Sequence, residues 1–172
     1  MDKLSSKLRN IKVLLFDWGD TLMRDFKDLK GPMCFWGNVE VIDGVEEFLD
    51  ACYEKYPLVV ATNAGFSDTE LMTKALYRGE IDKYFSFFFS SKELGVAKPD
   101  PLFFQTIAGK INAEPSSIAV IGNDYKKDIE PSKKAGMMTF FFNETNIPGL
   151  YPDADYIFIH FSELHEMFIN HF

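Results

Sequence analysis

Two aspartates, Asp17 and Asp20, stand directly behind the apolar run Val13, Leu14, Leu15 and Phe16 in the stretch LLFDWGDTLM. A sheet interior rejects such acids, because desolvating an unpaired carboxylate costs on the order of several kcal/mol. They belong at an open strand end or beside something that neutralises them. The arrangement recurs along the chain. Thr62 and Asn63 follow the apolar run in PLVVATN, Lys98 lies downstream of YFSFFFSS, and Asn123, Asp124 and Asp128 follow SSIAVIGND. Several acids, one hydroxyl and one lysine suit a hard cation that neutralises the acids and an oxyanion held by the lysine and hydroxyl. Magnesium takes oxygen ligands, binds through one or two carboxylates and shares its shell with phosphate. An aspartate also attacks phosphorus directly, forming an aspartyl-phosphate while neighbouring groups stabilise the transferring charge.

These residues fall on one edge only if the apolar runs are parallel strands, since ligands of open parallel sheets bind at the carboxyl ends of the strands. The rest of the sequence supports that arrangement, because apolar runs alternate with helical patterns throughout. GVEEFLDACYEKY places Val45, Phe48, Leu49, Cys52 and Tyr56 on one helical stripe. SDTELMTKALYRG opens with Ser67 and Glu70 as a capping box and closes on Gly79. YFSFFFSS reads as an uninterrupted third strand, and KPDPLFFQTIAGKI as a helix with Asp100 as N-cap and Pro101 in first position. DIEPSKKAG tolerates Pro131 only in a first helical turn, and a strand MMTFFF and a last strand and helix, ADYIFIHFSELHEMF, complete the chain. The predicted fold is α/β: a three-layer sandwich with a Rossmann-like parallel sheet between helices. The expected organisation is one domain over residues 1–172.

At 172 residues, 47% hydrophobic and 26% charged, the chain has the size and composition of one well-buried core. Its net charge of −8 argues against nucleic acid or an anionic membrane as partner. Cys34 and Cys52 carry no pairing or metal motif and read as reduced thiols of a cytoplasmic protein. The polar opening MDKLSSKLRN and the lack of any apolar run near 18 residues predict neither a secretory signal nor a membrane span. His160, His165 and His171 lie in the tail, away from every motif. The phenylalanines are read as core.

The ordered motifs FDWGDTL, VVATN, GVAKPDP and VIGNDYKKDIEPSKKAGM resemble the four motifs of the haloacid dehalogenase superfamily of aspartate-nucleophile hydrolases, from about Ile11 to Phe142. The resemblance implies a magnesium-dependent phosphomonoester hydrolase. Asp17 would be nucleophile and metal ligand, and Thr62, Asn63 and Lys98 would hold the phosphate. Gly19 and the fourth motif would complete the metal site, with Asn123 and Asp128 favoured and Asp124 as the alternative. Most phosphatases of this family carry a second catalytic aspartate two residues after the nucleophile, where this chain has Gly19. Asp20, one residue later, is either its replacement or a turn cap.

Between the first motif and the helix predicted from Asp43, the 21 residues from Leu22 to Ile42 are too few for a helical cap domain. The expectation is a minimal cap: an open site edged by a flap at about 23–42 that contains GPMCFWGN. Phe35 and Trp36 either close over a substrate or pack the flap onto its own domain. Such a site admits large phosphorylated substrates, or is closed by a neighbouring subunit in a homo-oligomer. The alternatives are a catalytically weak phosphate-binding member and a phosphonatase or dehalogenase type. The last two require a cap for which this chain has no segment.

Overall fold

The computed structural model describes residues 3–170; His171 lies outside them. After a short helix α1 (Lys3–Leu8), the first strand β1 (Val13–Phe16) enters the sheet, and a long irregular segment leads to α2 (Val45–Cys52). There follow β2 (Leu58–Thr62), α3 (Thr69–Arg78), β3 (Phe87–Ser90), the single turn α4 (Ser91–Leu94) and α5 (Pro101–Lys110). The second half comprises β4 (Ile118–Gly122), α6 (Glu130–Lys134), β5 (Met138–Phe142), β6 (Tyr156–Phe158) and α7 (Phe161–Ile169).

All six strands are parallel, in the order β3-β2-β1-β4-β5-β6. Because β1 lies between β2 and β4, the strand order changes direction at its carboxyl end, where a crevice opens in sheets of this kind. Strands buried on both faces need apolar residues at every position, and β1, β2, β4 and β5 are buried throughout. Alternation divides them between two cores. Leu14, Phe16, Val60 and Ile121 face a core with α2 and α7. Val13, Leu15, Val59 and Val120 face Phe103, Phe104 and Ile107 of α5. In the first core Phe48 meets Phe168 at 5.4 Å and Phe142 meets Phe161 at 5.0 Å between ring centroids.

Several element boundaries differ from the sequence expectation. Ser67 is buried, and Asp68 caps α3 instead by accepting from the Leu71 N–H at 3.1 Å. The third strand is shortened at its start, because Asp82–Tyr84 forms a 3-10 turn before it. Tyr56 lies beyond the end of α2, although its ring still meets Phe168 at 6.0 Å. His160 is the N-cap residue of α7, with Glu163 accepting from its backbone N–H at 2.9 Å.

The flap packs onto the body. Trp36 is buried, and its indole N–H donates to the carbonyls of Lys30 and Gly31, both at 3.2 Å. Arg78 at the end of α3 donates to the carbonyls of Cys34 and Trp36 at 3.0 and 2.6 Å. Phe35 points outward and is 72% exposed. The flap is thus bound to α3 through its backbone, while one aromatic ring remains in solvent.

Candidate active site

The acids and the lysine meet at the carboxyl ends of β1, β2 and β4. Asp17 directly follows β1, and its backbone N–H still donates to Ile121 at 2.9 Å, so the sheet ladder fixes the main chain where the carboxylate begins. Its Oδ1 accepts from Lys98 Nζ at 2.6 Å, and its Oδ2 from the Thr21 hydroxyl at 3.2 Å. Thr21 is fully buried, and its role beside Asp17 was not read from the sequence. Its place in the DTL triplet was the available signal.

Lys98 is held from both ends. Its ammonium also donates to Asp128 Oδ1 at 2.8 Å. Its backbone is clamped by Asn63, whose amide donates to the Lys98 carbonyl at 2.9 Å and accepts from the Lys98 N–H at 2.9 Å. The Asn63 side chain, expected to bind phosphate, is therefore engaged in positioning the lysine. Thr62 ends β2 with its hydroxyl 3.3 Å from the Asn63 carbonyl, facing the same polar cleft as Asp17 and Lys98.

Asp128 is 1% exposed. It reaches the site from a π-helical turn, Tyr125–Ile129, a local widening that commonly serves to aim a functional side chain. Gly122 makes room for it, since a Cβ there would fall 2.4 Å from that of Asp128. Asp124 contributes its backbone N–H to Asp128 Oδ2 at 3.0 Å. Its own carboxylate turns back to cap the turn, accepting from the N–H groups of Lys126 and Lys127, both at 3.0 Å.

Asp20 adopts a left-handed backbone with φ of 57°. One of its carboxylate oxygens accepts from the Asp25 N–H at 2.9 Å and the other from Lys27 Nζ at 3.0 Å. Both oxygens are thus used to fold the chain back after β1.

Charge in the cluster is unbalanced: two carboxylates share one ammonium. Burial disfavours the charged lysine, but Asp128 and Asp17 outweigh it and raise the Lys98 pKa above its ordinary value. Burial and then the negative charge of Asp17 push the Asp128 carboxyl upward, against the pull of Lys98. A further cation would relieve this excess.

The donors for one are present. One terminal atom of the Asn123 amide lies 3.2 Å from the Gly19 carbonyl oxygen, 3.3 Å from Asp17 Oδ2 and 3.1 Å from Thr21 Oγ1. With nitrogen inward, the amide donates to these oxygens; with oxygen inward, Asp17, Gly19 and Asn123 form an all-oxygen set of the kind magnesium takes. Asp128 Oδ1 accepts from Lys98, and Asp124 caps the turn through Oδ1 while its Oδ2 lies 3.6 Å from Lys127 Nζ.

Beside the polar cleft lies a second, larger cleft of about 320 Å³ between the flap and the loop after β2. Trp18, Phe26, Leu29, Met33, Trp36 and Phe66 supply its apolar lining. Asp25 and Lys27, which lie in none of the four motifs, border both clefts.

Residues 16–142 match the family model described as haloacid dehalogenase-like hydrolase. The chain is 30% identical over 106 residues to the pyrimidine 5'-nucleotidase PynA of Streptococcus pneumoniae, covering 60% of this chain and 44% of that protein. It spans less than half the length of the curated relatives it matches first. Its fold superposes on an uncharacterized protein from Listeria monocytogenes serotype 4b with a TM-score of 0.81 at 19% identity, covering 94% of this chain and 98% of that one. It also superposes on the magnesium-bound HAD-hydrolase YfnB of Bacillus subtilis with a TM-score of 0.75 at 17% identity, covering 91% and 98%. With its motifs on the strand ends and the family model spanning most of its length, this chain belongs to the haloacid dehalogenase-like hydrolases.

Proposed function

We propose that this hydrolase cleaves phosphomonoesters through an aspartyl-phosphate on Asp17, with magnesium as cofactor. The observation that carries the reading is the division of the Asp17 carboxylate, with Oδ1 on Lys98 at 2.6 Å and Oδ2 3.3 Å from the Asn123 amide, which also lies 3.2 Å from the Gly19 carbonyl oxygen. In this reading Asp17, the Gly19 carbonyl and Asn123 hold the ion, which when bound neutralises phosphoryl charge. The Asp17 carboxylate attacks phosphorus and the ester oxygen leaves. Lys98 and the Thr62 hydroxyl face the phosphoryl oxygens and stabilise the charge that builds on them. Asp128 and Asn63 position Lys98. The nucleotidase activity in the name of the pneumococcal relative supports a phosphate ester over a haloacid as substrate.

The leaving group would occupy the neighbouring cleft, whose mixed lining favours a substrate with an apolar or aromatic portion. Two buried free cysteines suit a reducing, cytoplasmic setting, and among the described residues no helix is long and apolar enough to cross a membrane. A second copy closing the cleft is the partner an open site of this kind would take. The test is a magnesium-supplemented screen of phosphomonoesters with wild type and Asp17→Asn in parallel. Metal-dependent phosphate release by wild type alone is the expected result. Equal release by the variant would refute the assignment of Asp17.

A further inference from the structure

Position 19 has no side chain to exchange a proton with the reacting oxygens, yet the structure fills that space from elsewhere. A Cβ built on Gly19 would lie 3.5 Å from the Cβ of Asp25 and 3.8 Å from its Oδ2. A side chain at residue 19 would therefore project into the region that the Asp25 carboxylate now occupies. The geometry points to Asp25 as the general base that activates water for breakdown of the aspartyl-phosphate, a role that rests on the phosphohydrolase reading above.

The loop is built to bring Asp25 back. Asp20 turns the chain with its positive φ, its N–H donates to the Met23 carbonyl at 2.7 Å, and its carboxylate accepts from the Asp25 N–H at 2.9 Å. Lys27 Nζ spans Asp20 Oδ2 at 3.0 Å and Asp25 Oδ2 at 2.6 Å. The other acids of the polar cleft are committed: Asp17 to Lys98, Asp20 to the turn, Asp124 to its cap and Asp128 to Lys98. Asp25 Oδ1 accepts from no donor among the described residues. Asp124 Oδ2 likewise accepts no hydrogen bond and lies 3.6 Å from Lys127 Nζ, but Asp124 does not border the cleft assigned to the leaving group. The Asp25 side chain is 43% exposed, so water reaches it. It borders both the polar cleft that holds Asp17 and the cleft assigned to the leaving group.

In the step assigned to it, the oxygen of a water molecule bonds to phosphorus while one water proton passes to the Asp25 carboxylate. The bond between phosphorus and the Asp17 oxygen breaks, restoring the Asp17 carboxylate and releasing inorganic phosphate. Asp25 then returns the proton to solvent. Formation of the aspartyl-phosphate does not use Asp25.

The experiment is rapid-quench kinetics with p-nitrophenyl phosphate and magnesium. Asp25→Asn is expected to give a stoichiometric burst of nitrophenol at a rate within several-fold of wild type. A steady state slower by on the order of 10²- to 10⁴-fold should follow as phosphoenzyme accumulates. Asp25→Ala, which empties that space, should slow the steady state likewise, and adding Gly19→Asp to it returns a carboxylate there and should recover at least a tenfold share of the loss. Gly19 is free of positive φ and its built Cβ makes only ordinary contacts. A wild-type steady state in Asp25→Asn, or equal slowing of burst and steady state, would overturn the assignment. A wild-type enzyme that turns over with no phosphoenzyme and no need of Asp17 would overturn the phosphohydrolase mechanism itself, which is a distinguishable failure.

Discussion

Replacing Lys98 with methionine tests how the site balances its charge. The lysine side chain is 3% exposed and pairs with Asp17 and with Asp128, whose side chain is 2% exposed. Methionine keeps most of the apolar stem and removes only the ammonium, leaving the buried Asp128 carboxylate, and Asp17 at the edge of the cleft, without their shared counter-charge. Breaking a buried pair from one side costs about 3–5 kcal/mol, because an uncompensated charge remains. For a chain of this length each kcal/mol corresponds to about 2–4 °C, so the melting temperature should fall by about 6–20 °C.

The loss should depend on pH in a defined direction. Burial and the charge of Asp17 already raise the Asp128 carboxyl, and without Lys98 its folded pKa rises further above the unfolded value of about 3.9. An acid with a raised folded pKa penalises the folded state above that pKa, and the penalty fades as pH falls through it. The gap between wild type and Lys98→Met should therefore be larger near about pH 8 than near about pH 5. Thermal melts at both values, followed by circular dichroism without added divalent metal, measure it. Equal melting temperatures for the two proteins near pH 8, or a gap that widens on acidification, would refute the reasoning. Turnover should be lost in the variant at every pH.

Two further predictions concern the scaffold. Asp20→Asn keeps an acceptor for the Asp25 N–H and a residue type that tolerates positive φ, so turnover should stay within about tenfold of wild type. Asp20→Val instead forces a β-branched residue into that conformation and should both destabilise the fold by about 1–2 kcal/mol and slow phosphoenzyme breakdown. At the opposite end of the sheet, Asp155 accepts from Lys7 and Lys133, both at 2.6 Å, and from the Thr139 N–H at 3.0 Å. Although burial opposes it, these partners hold its carboxyl below the usual range. Asp155→Asn should cost about 1.5–3 kcal/mol at neutral pH by chemical denaturation. The depressed pKa means that this contribution is present above the unfolded value of about 3.9 and disappears as pH falls through the folded one. A difference that persists unchanged in acid would contradict that assignment.

The sheet was legible because its central strands are buried on both faces and so consist almost wholly of apolar residues, as VLLF and IAVIG show. The polar residues after them were legible as one rim because parallel strands bring their carboxyl ends together. Finer assignments depended on tertiary contacts. Ser67 and Asp68 are both capable caps; in the folded chain Ser67 is buried and Asp68 accepts from the Leu71 N–H. Asn63 follows Thr62 toward the cleft, but its amide finds the Lys98 peptide, which lies 35 residues away in the chain. Asp25 sits in an irregular polar segment with no periodicity to mark it. Its return to Gly19 depends on the backbone turn at Asp20, which no residue spacing encodes.

The central claim is that Asp17 becomes phosphorylated. Wild-type enzyme quenched during turnover of p-nitrophenyl phosphate with magnesium, then reduced with borohydride and digested, should yield a peptide in which the side chain of Asp17 has been converted to that of homoserine. The account predicts this modification at Asp17, at no other aspartate of the cleft, and never without substrate. Turnover with Asp17 unmodified, or reduction at Asp20 or Asp25 instead, would contradict it.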